Sequence, residues 1–162
     1  MTETRDKTIT SLHSKVGLIA DRIKAVLPKD YYPISVTLDV NETSYNAYCF
    51  SEETEWFEPA IVIGIKMVEG QTDEYIASVL AHEFAHIVLG HVSNPVKGKH
   101  ASKQRERDAD SLGLYFFTMA GFDKSRYIDS YDFEEAENPS GYYPSFAERK
   151  KAIYTLLSDL YV

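Results

Sequence analysis

The order of hydrophobic patterns along the chain predicts an α+β domain. Apolar residues recur every three or four positions up to residue 27, alternate or run continuously between residues 33 and 67, then return to helical spacing from residue 72. Helix first, strands next and helices last is the signature of segregated rather than alternating α and β elements.

The first helix is predicted over Thr8–Leu27, where Ile9, Leu12, Val16, Ile19, Ile23 and Leu27 form one stripe and Pro28 marks the end. Pro33–Val40 alternates, with Ile34, Val36, Leu38 and Val40 on one face, as a half-buried strand does. Tyr45–Phe50 and Ala60–Met67 are aromatic or β-branched runs, separated by the acidic segment Ser51–Glu58; together the three runs make a small sheet. A second helix begins at Thr72, a side chain suited to an N-cap, with Asp73 and Glu74 where the helix dipole favours negative charge, and stops at Gly90. A third spans Ser102–Ala120 and is closed by Gly121; its second half is apolar nearly all round and is therefore expected to be buried. Residues 123–143 read as a long loop rich in Asp, Glu and Tyr. A last helix opens at Pro144 with Phe146, Ile153, Leu156, Leu157 and Leu160 inward.

Length and composition narrow the function. At 162 residues the whole chain, 1–162, is one domain of ordinary size. A net charge of −8 disfavours nucleic acid and anionic membranes, which need clustered Lys and Arg; Lys97, Lys99, Lys103 and Arg105 form the one basic stretch and read as a solvated face. No apolar run approaches a membrane span and the first residues lack a secretory pattern. With Cys49 the sole cysteine, no internal disulfide is possible, and a cytoplasmic location is expected.

The chemistry is carried by His82-Glu83-Phe84-Ala85-His86, the pattern HExxH, inside the second helix. Residues four apart stand one turn apart on one face, so both imidazoles can reach a single ion, and neutral imidazoles suit Zn²⁺. Glu83 projects beside such an ion, placed to take a proton from water there. The longer metzincin pattern is excluded, because Leu89 and Val92 occupy its glycine and third-histidine positions. His91 is then a helix-end residue. A carboxylate from the next helix is the alternative third ligand: Glu106 can complete a two-histidine, one-glutamate site, and Asp110, one turn on, can accept the outer N–H of His82. Asp108 points away.

HExxH followed by Glu106-x-x-Ala109-Asp110 resembles the gluzincin zinc peptidases. It is similar, more narrowly, to the catalytic domain shared by HtpX and the CaaX prenyl proteases, in the soluble stand-alone form termed minigluzincins. Val79-Leu80-Ala81, Leu112-Gly113-Leu114-Tyr115, Ala120-Gly121-Phe122-Asp123 and the Asn46-Ala47-Tyr48 run extend the likeness over about residues 8–160. The resemblance implies a small zincin-like domain with a mixed or antiparallel sheet, one zinc held by His82, His86 and Glu106, and Glu83 as general base. It also implies a sheet edge for an extended peptide, for which Ala60–Ile65 is the candidate. Two departures stand out. The membrane-spanning helices of those relatives are missing, which makes soluble proteins or peptides the expected substrates. Tyr143, within Tyr143-Pro144-Ser145-Phe146-Ala147-Glu148-Arg149, stands where the family carries a histidine, and its phenol can donate to an oxyanion; Arg149 reads as a structural or charge-pairing residue. The expected activity is therefore a zinc-dependent metalloendopeptidase. An ImmA-like regulatory peptidase with a dedicated repressor partner, and a latent or non-catalytic zinc-stabilised binding module, are the alternatives. Oligomeric state is not legible.

Overall fold

The structure is a computed structural model that describes residues 2–28, 33–53, 57–94, 98–131 and 144–160. Its elements in chain order are α1 (Thr2–Lys24), β1 (Ser35–Asp39), β2 (Ala47–Glu53), β3 (Phe57–Gly64), a 3₁₀ turn (Ile65–Met67), α2 (Asp73–Val88), α3 (Lys99–Met119), a 3₁₀ helix (Lys124–Tyr131) and α4 (Phe146–Leu160). The α+β expectation is met. Among the described residues no helix is long and apolar enough to cross a membrane.

The three strands form one mixed sheet in the order β1-β3-β2. β3 runs parallel to β1, with Val36 opposite Ile61, and antiparallel to β2, with Cys49 opposite Ile61 on the other side. This corrects the expected substrate edge. Ala60–Ile65 falls mostly on the central strand, whose hydrogen-bonding groups face neighbours on both sides, and ends in the 3₁₀ turn; β2 borders the sheet instead. Continuous apolar character suits this central strand, because both of its flanks are paired and the face that carries Ile61 and Ile63 is fully buried.

α2 lies at the centre of the molecule and carries buried side chains on nearly every turn, from Tyr75 to Ile87. One side meets Ile61 and Ile63 of the sheet together with Val16, Ile19 and Ile23 of α1; Ile23, Ile61, Ile63, Ile76, Leu80 and Phe84 have no exposed surface. Its start is fixed as expected: the Thr72 hydroxyl accepts the Tyr75 N–H at 3.1 Å, a cap worth about 1 kcal/mol. The other side of α2 packs along α3.

That crossing has almost no clearance. A Cβ at Gly113 of α3 would run into the Tyr127 hydroxyl and would lie 3.1 Å from the backbone nitrogen of His82 and 3.2 Å from its Cα. Tyr127 cannot swing aside: it is fully buried, packs edge-on against Phe117 at 5.2 Å and donates its hydroxyl proton to the Asp110 carbonyl at 2.9 Å. Gly113→Ala is therefore expected to cost about 1–3 kcal/mol through overpacking, read as a fall in melting temperature against wild type.

Tyr127 belongs to the stretch expected as loop. Residues 124–131 are instead a 3₁₀ helix packed on α2, with Tyr127 and Ile128 in the core; the remainder of that stretch, 132–143, lies outside the described residues. α4 begins at Phe146 rather than at Pro144, and the Ser145 hydroxyl caps it by accepting the Glu148 N–H at 3.1 Å.

Candidate metal centre

His82 and His86 stand one turn apart on the face of α2 turned toward α3. Their Nε2 atoms are 3.0 Å apart and the rings meet nearly perpendicular, at 87°. Glu106, near the start of α3, spans the pair: Oε2 is 3.0 Å from His82 Nε2 and Oε1 is 3.2 Å from His86 Nε2. One donor atom from each of the three residues lies within 4.8 Å of the others.

The outer faces of the rings are also engaged. His82 Nδ1 is 2.8 Å from Asp110 Oδ1, and His86 Nδ1 is 2.8 Å from His91 Nδ1. Asp110 is in turn gripped by Arg149 of α4, whose Nε donates to Oδ2 at 2.8 Å and whose Nη2 donates to Oδ1 at 2.7 Å. Proton placement follows from these partners. Imidazoles that donate outward through Nδ1 turn bare Nε2 lone pairs inward, where they meet a carboxylate. Three electron-pair donors then converge with no proton between them, an arrangement that a divalent cation satisfies. The donor set of two imidazoles and one glutamate suits zinc.

Without an ion a proton takes that place. Burial alone disfavours a charged His82, but Asp110 and Glu106 outweigh it through hydrogen bonds and charge, and the group is pushed up to about 10. Glu106 is held well below the usual carboxylate range: burial opposes this, and the two imidazoles override it. Asp110 is lowered to about 2 against its own burial by Arg149 and His82. His91 moves the other way, down to about 4, through burial and then the charges of His86 and Arg105.

Because folding raises His82 above its ordinary value of 6.5, the stability it contributes is complete below that pH and is lost as pH climbs toward 10. The metal-free protein is expected to lose melting temperature steadily between about pH 7 and pH 9.5. Asp110→Asn, which removes the chief partner of the proton, is expected to flatten that slope; thermal unfolding across the range in the two proteins checks it.

Glu83 sits on the same helix beside the pair, buried at 8% exposure. Burial is the main reason its carboxyl is raised; Glu106 adds to the rise while His82 and His86 oppose it. The Cys49 thiol of β2 hydrogen-bonds to Glu83 and is itself raised, by burial first and then by the Glu83 charge. Tyr48 lies on the opposite side of the strand, near Phe50.

The model of peptidase family M48 matches residues 6–103, from α1 through the HExxH helix into α3. The chain belongs to peptidase family M48. No curated protein and no solved structure matches it. M48 peptidases are metal-dependent enzymes of the zincin type, and this M48 chain groups His82, His86 and Glu106 as a metal site requires. The match stops at residue 103 and so does not reach Glu106, Asp110 or Arg149.

Of the residues singled out from sequence, His82, Glu83, His86, Glu106 and Asp110 converge; Tyr143 lies outside the described residues. Asp108 is turned away, accepting from Gln104 at 2.9 Å. Cys49 was missed, although the alternation of Ala47 and Cys49 with Tyr48 and Phe50 places it on the inner face of its strand. Arg149 reads from sequence as a structural or charge-pairing residue; its partner, Asp110, and the two-bond grip are shown by the structure.

Proposed function

We propose that this M48 chain is a zinc-dependent metalloendopeptidase acting on soluble proteins or peptides. The supporting observation is the convergence of His82 Nε2, His86 Nε2 and the Glu106 carboxylate beside a buried, separately held Glu83. Bound at those atoms, zinc supplies a Lewis acid that polarises the scissile carbonyl and lets water ionise near neutral pH.

The protein's own groups do the rest. Glu83 takes the proton of the attacking water and passes it to the leaving amine, a cycle helped by burial, which raises its carboxyl above the ordinary carboxylate value. Asp110, fixed by Arg149, holds His82 in one tautomer. β2, which borders the sheet among the described residues and whose Cys49 reaches Glu83, can pair main chain to main chain with an extended peptide and lead it past Glu83. Recognition of that kind selects an extended backbone more than particular side chains.

The test is digestion of an unfolded casein by protein loaded with one equivalent of zinc. Cleavage that stops with a chelator and returns with zinc is expected. Stoichiometric zinc without chelator-sensitive cleavage would leave a binding module in place of an enzyme.

A further inference from the structure

We infer that His91 is a positioning residue for the metal centre: its Nδ1 accepts the Nδ1 proton of His86, holding that imidazole in the tautomer whose Nε2 faces His82 and Glu106. This rests on the metal-site reading above and extends it to a residue outside the ligand set.

The contact is built by the end of α2. Gly90 takes φ +77°, a left-handed conformation that glycine adopts freely. The Gly90 N–H then reaches the Ile87 carbonyl and the His91 N–H reaches the His86 carbonyl, both at 3.0 Å. With Leu89 as the cap residue, this pair of bonds is a Schellman motif, which brings the residue two places past the cap against the residue three places before it. In most helices that contact joins two apolar side chains. Here it joins two imidazoles, with Nδ1 atoms 2.8 Å apart and ring centroids 5.1 Å apart. α3 anchors the same residue: Arg105, adjacent to Glu106, donates from Nη1 to the His91 carbonyl at 2.9 Å.

The direction of the hydrogen bond follows from the inner side. His86 Nε2 lies 3.0 Å from His82 Nε2 and 3.2 Å from Glu106 Oε1, so a lone pair is needed there for an ion, and the ring proton belongs on Nδ1. His91 must then be neutral with its own proton on Nε2, since a proton on its Nδ1 would face that of His86. The two ligand histidines are thus supported unequally, His82 by a carboxylate and His86 by a neutral ring. Outer partners of this type are worth about 10–100-fold in metal affinity.

Zinc affinity, measured by competition with a chromophoric chelator, tests this in wild type, His91→Phe and His91→Asn. His91→Phe keeps a planar ring but no acceptor and is expected to bind about 10-fold more weakly or worse; His91→Asn, whose Oδ1 can occupy the position of Nδ1, is expected to stay within about threefold. A helix-capping role alone predicts equal affinities for the two variants and would overturn the inference, as would His91→Phe within about twofold of wild type. Nitrogen NMR of zinc-loaded wild type gives a second reading that needs no variant to fold: His91 is expected to carry its proton on Nε2 and His86 on Nδ1, and a proton on His91 Nδ1 overturns it. Wild type that takes up no zinc removes the metal-site reading and this one together; wild type that binds one equivalent with His91→Phe unchanged removes this one alone.

Discussion

Glu83→Gln is expected to keep its metal ion and to lose peptide hydrolysis by roughly 10³-fold in kcat, within the range that general acid–base groups contribute. The substitution preserves shape and leaves all three proposed ligands in place, so metal content should match wild type. Among the described residues it removes the one carboxylate beside the centre that neither bridges the imidazoles nor pairs with an arginine. Its burial at 8% exposure also makes a neutral amide a mild structural change. Metal analysis alongside kcat and KM on a fluorogenic peptide separates the outcomes. Full metal with turnover within about tenfold of wild type would assign the proton transfer to another group.

Arg149→Met is expected to have the largest effect on stability. Arg149 and Asp110 form a two-bond ion pair at 2.7 and 2.8 Å, with side chains only 11% and 5% exposed. Removing the guanidinium leaves a buried carboxylate without its strongest donor, and breaking such a pair costs about 3–5 kcal/mol. For a chain of this size that is roughly 6–20 °C in melting temperature. Asp110→Asn in the same background should restore part of the loss, because the stranded charge is then gone. A double-mutant cycle by thermal unfolding measures this; a coupling near zero, or a single-variant shift below about 2 °C, would show that the pair holds nothing in place. Zinc affinity should fall with it, since Asp110 is the outer partner of His82.

What was legible beforehand follows from helical periodicity. His82 with His86, and Glu106 with Asp110, are spaced by four, and that spacing alone states that each pair shares a face. The strand order was not legible. A run such as Ala60–Ile65 is equally apolar at the centre of a sheet or at its border, and only pairing partners distant in sequence decide between them. The helix at 124–131 escaped because Tyr127 and Ile128 are two adjacent core residues in a polar stretch, too few to show a period. His91 was recognised as a helix-end residue, and it is one; its second contact, with His86, arises from the geometry of that ending. Arg149 meets Asp110 across 39 positions of sequence, a distance over which no local pattern operates.

Gly113 is not one of the grouped donors, yet it acts as the gauge of the whole centre. Glu106 precedes it on the same helix by seven residues, about 10 Å of rigid rod at 1.5 Å per residue. A one-carbon wedge at the crossing would tilt that rod and carry the carboxylate off the imidazoles, so the convergence of the three donor side chains is calibrated by a missing methyl group two turns away.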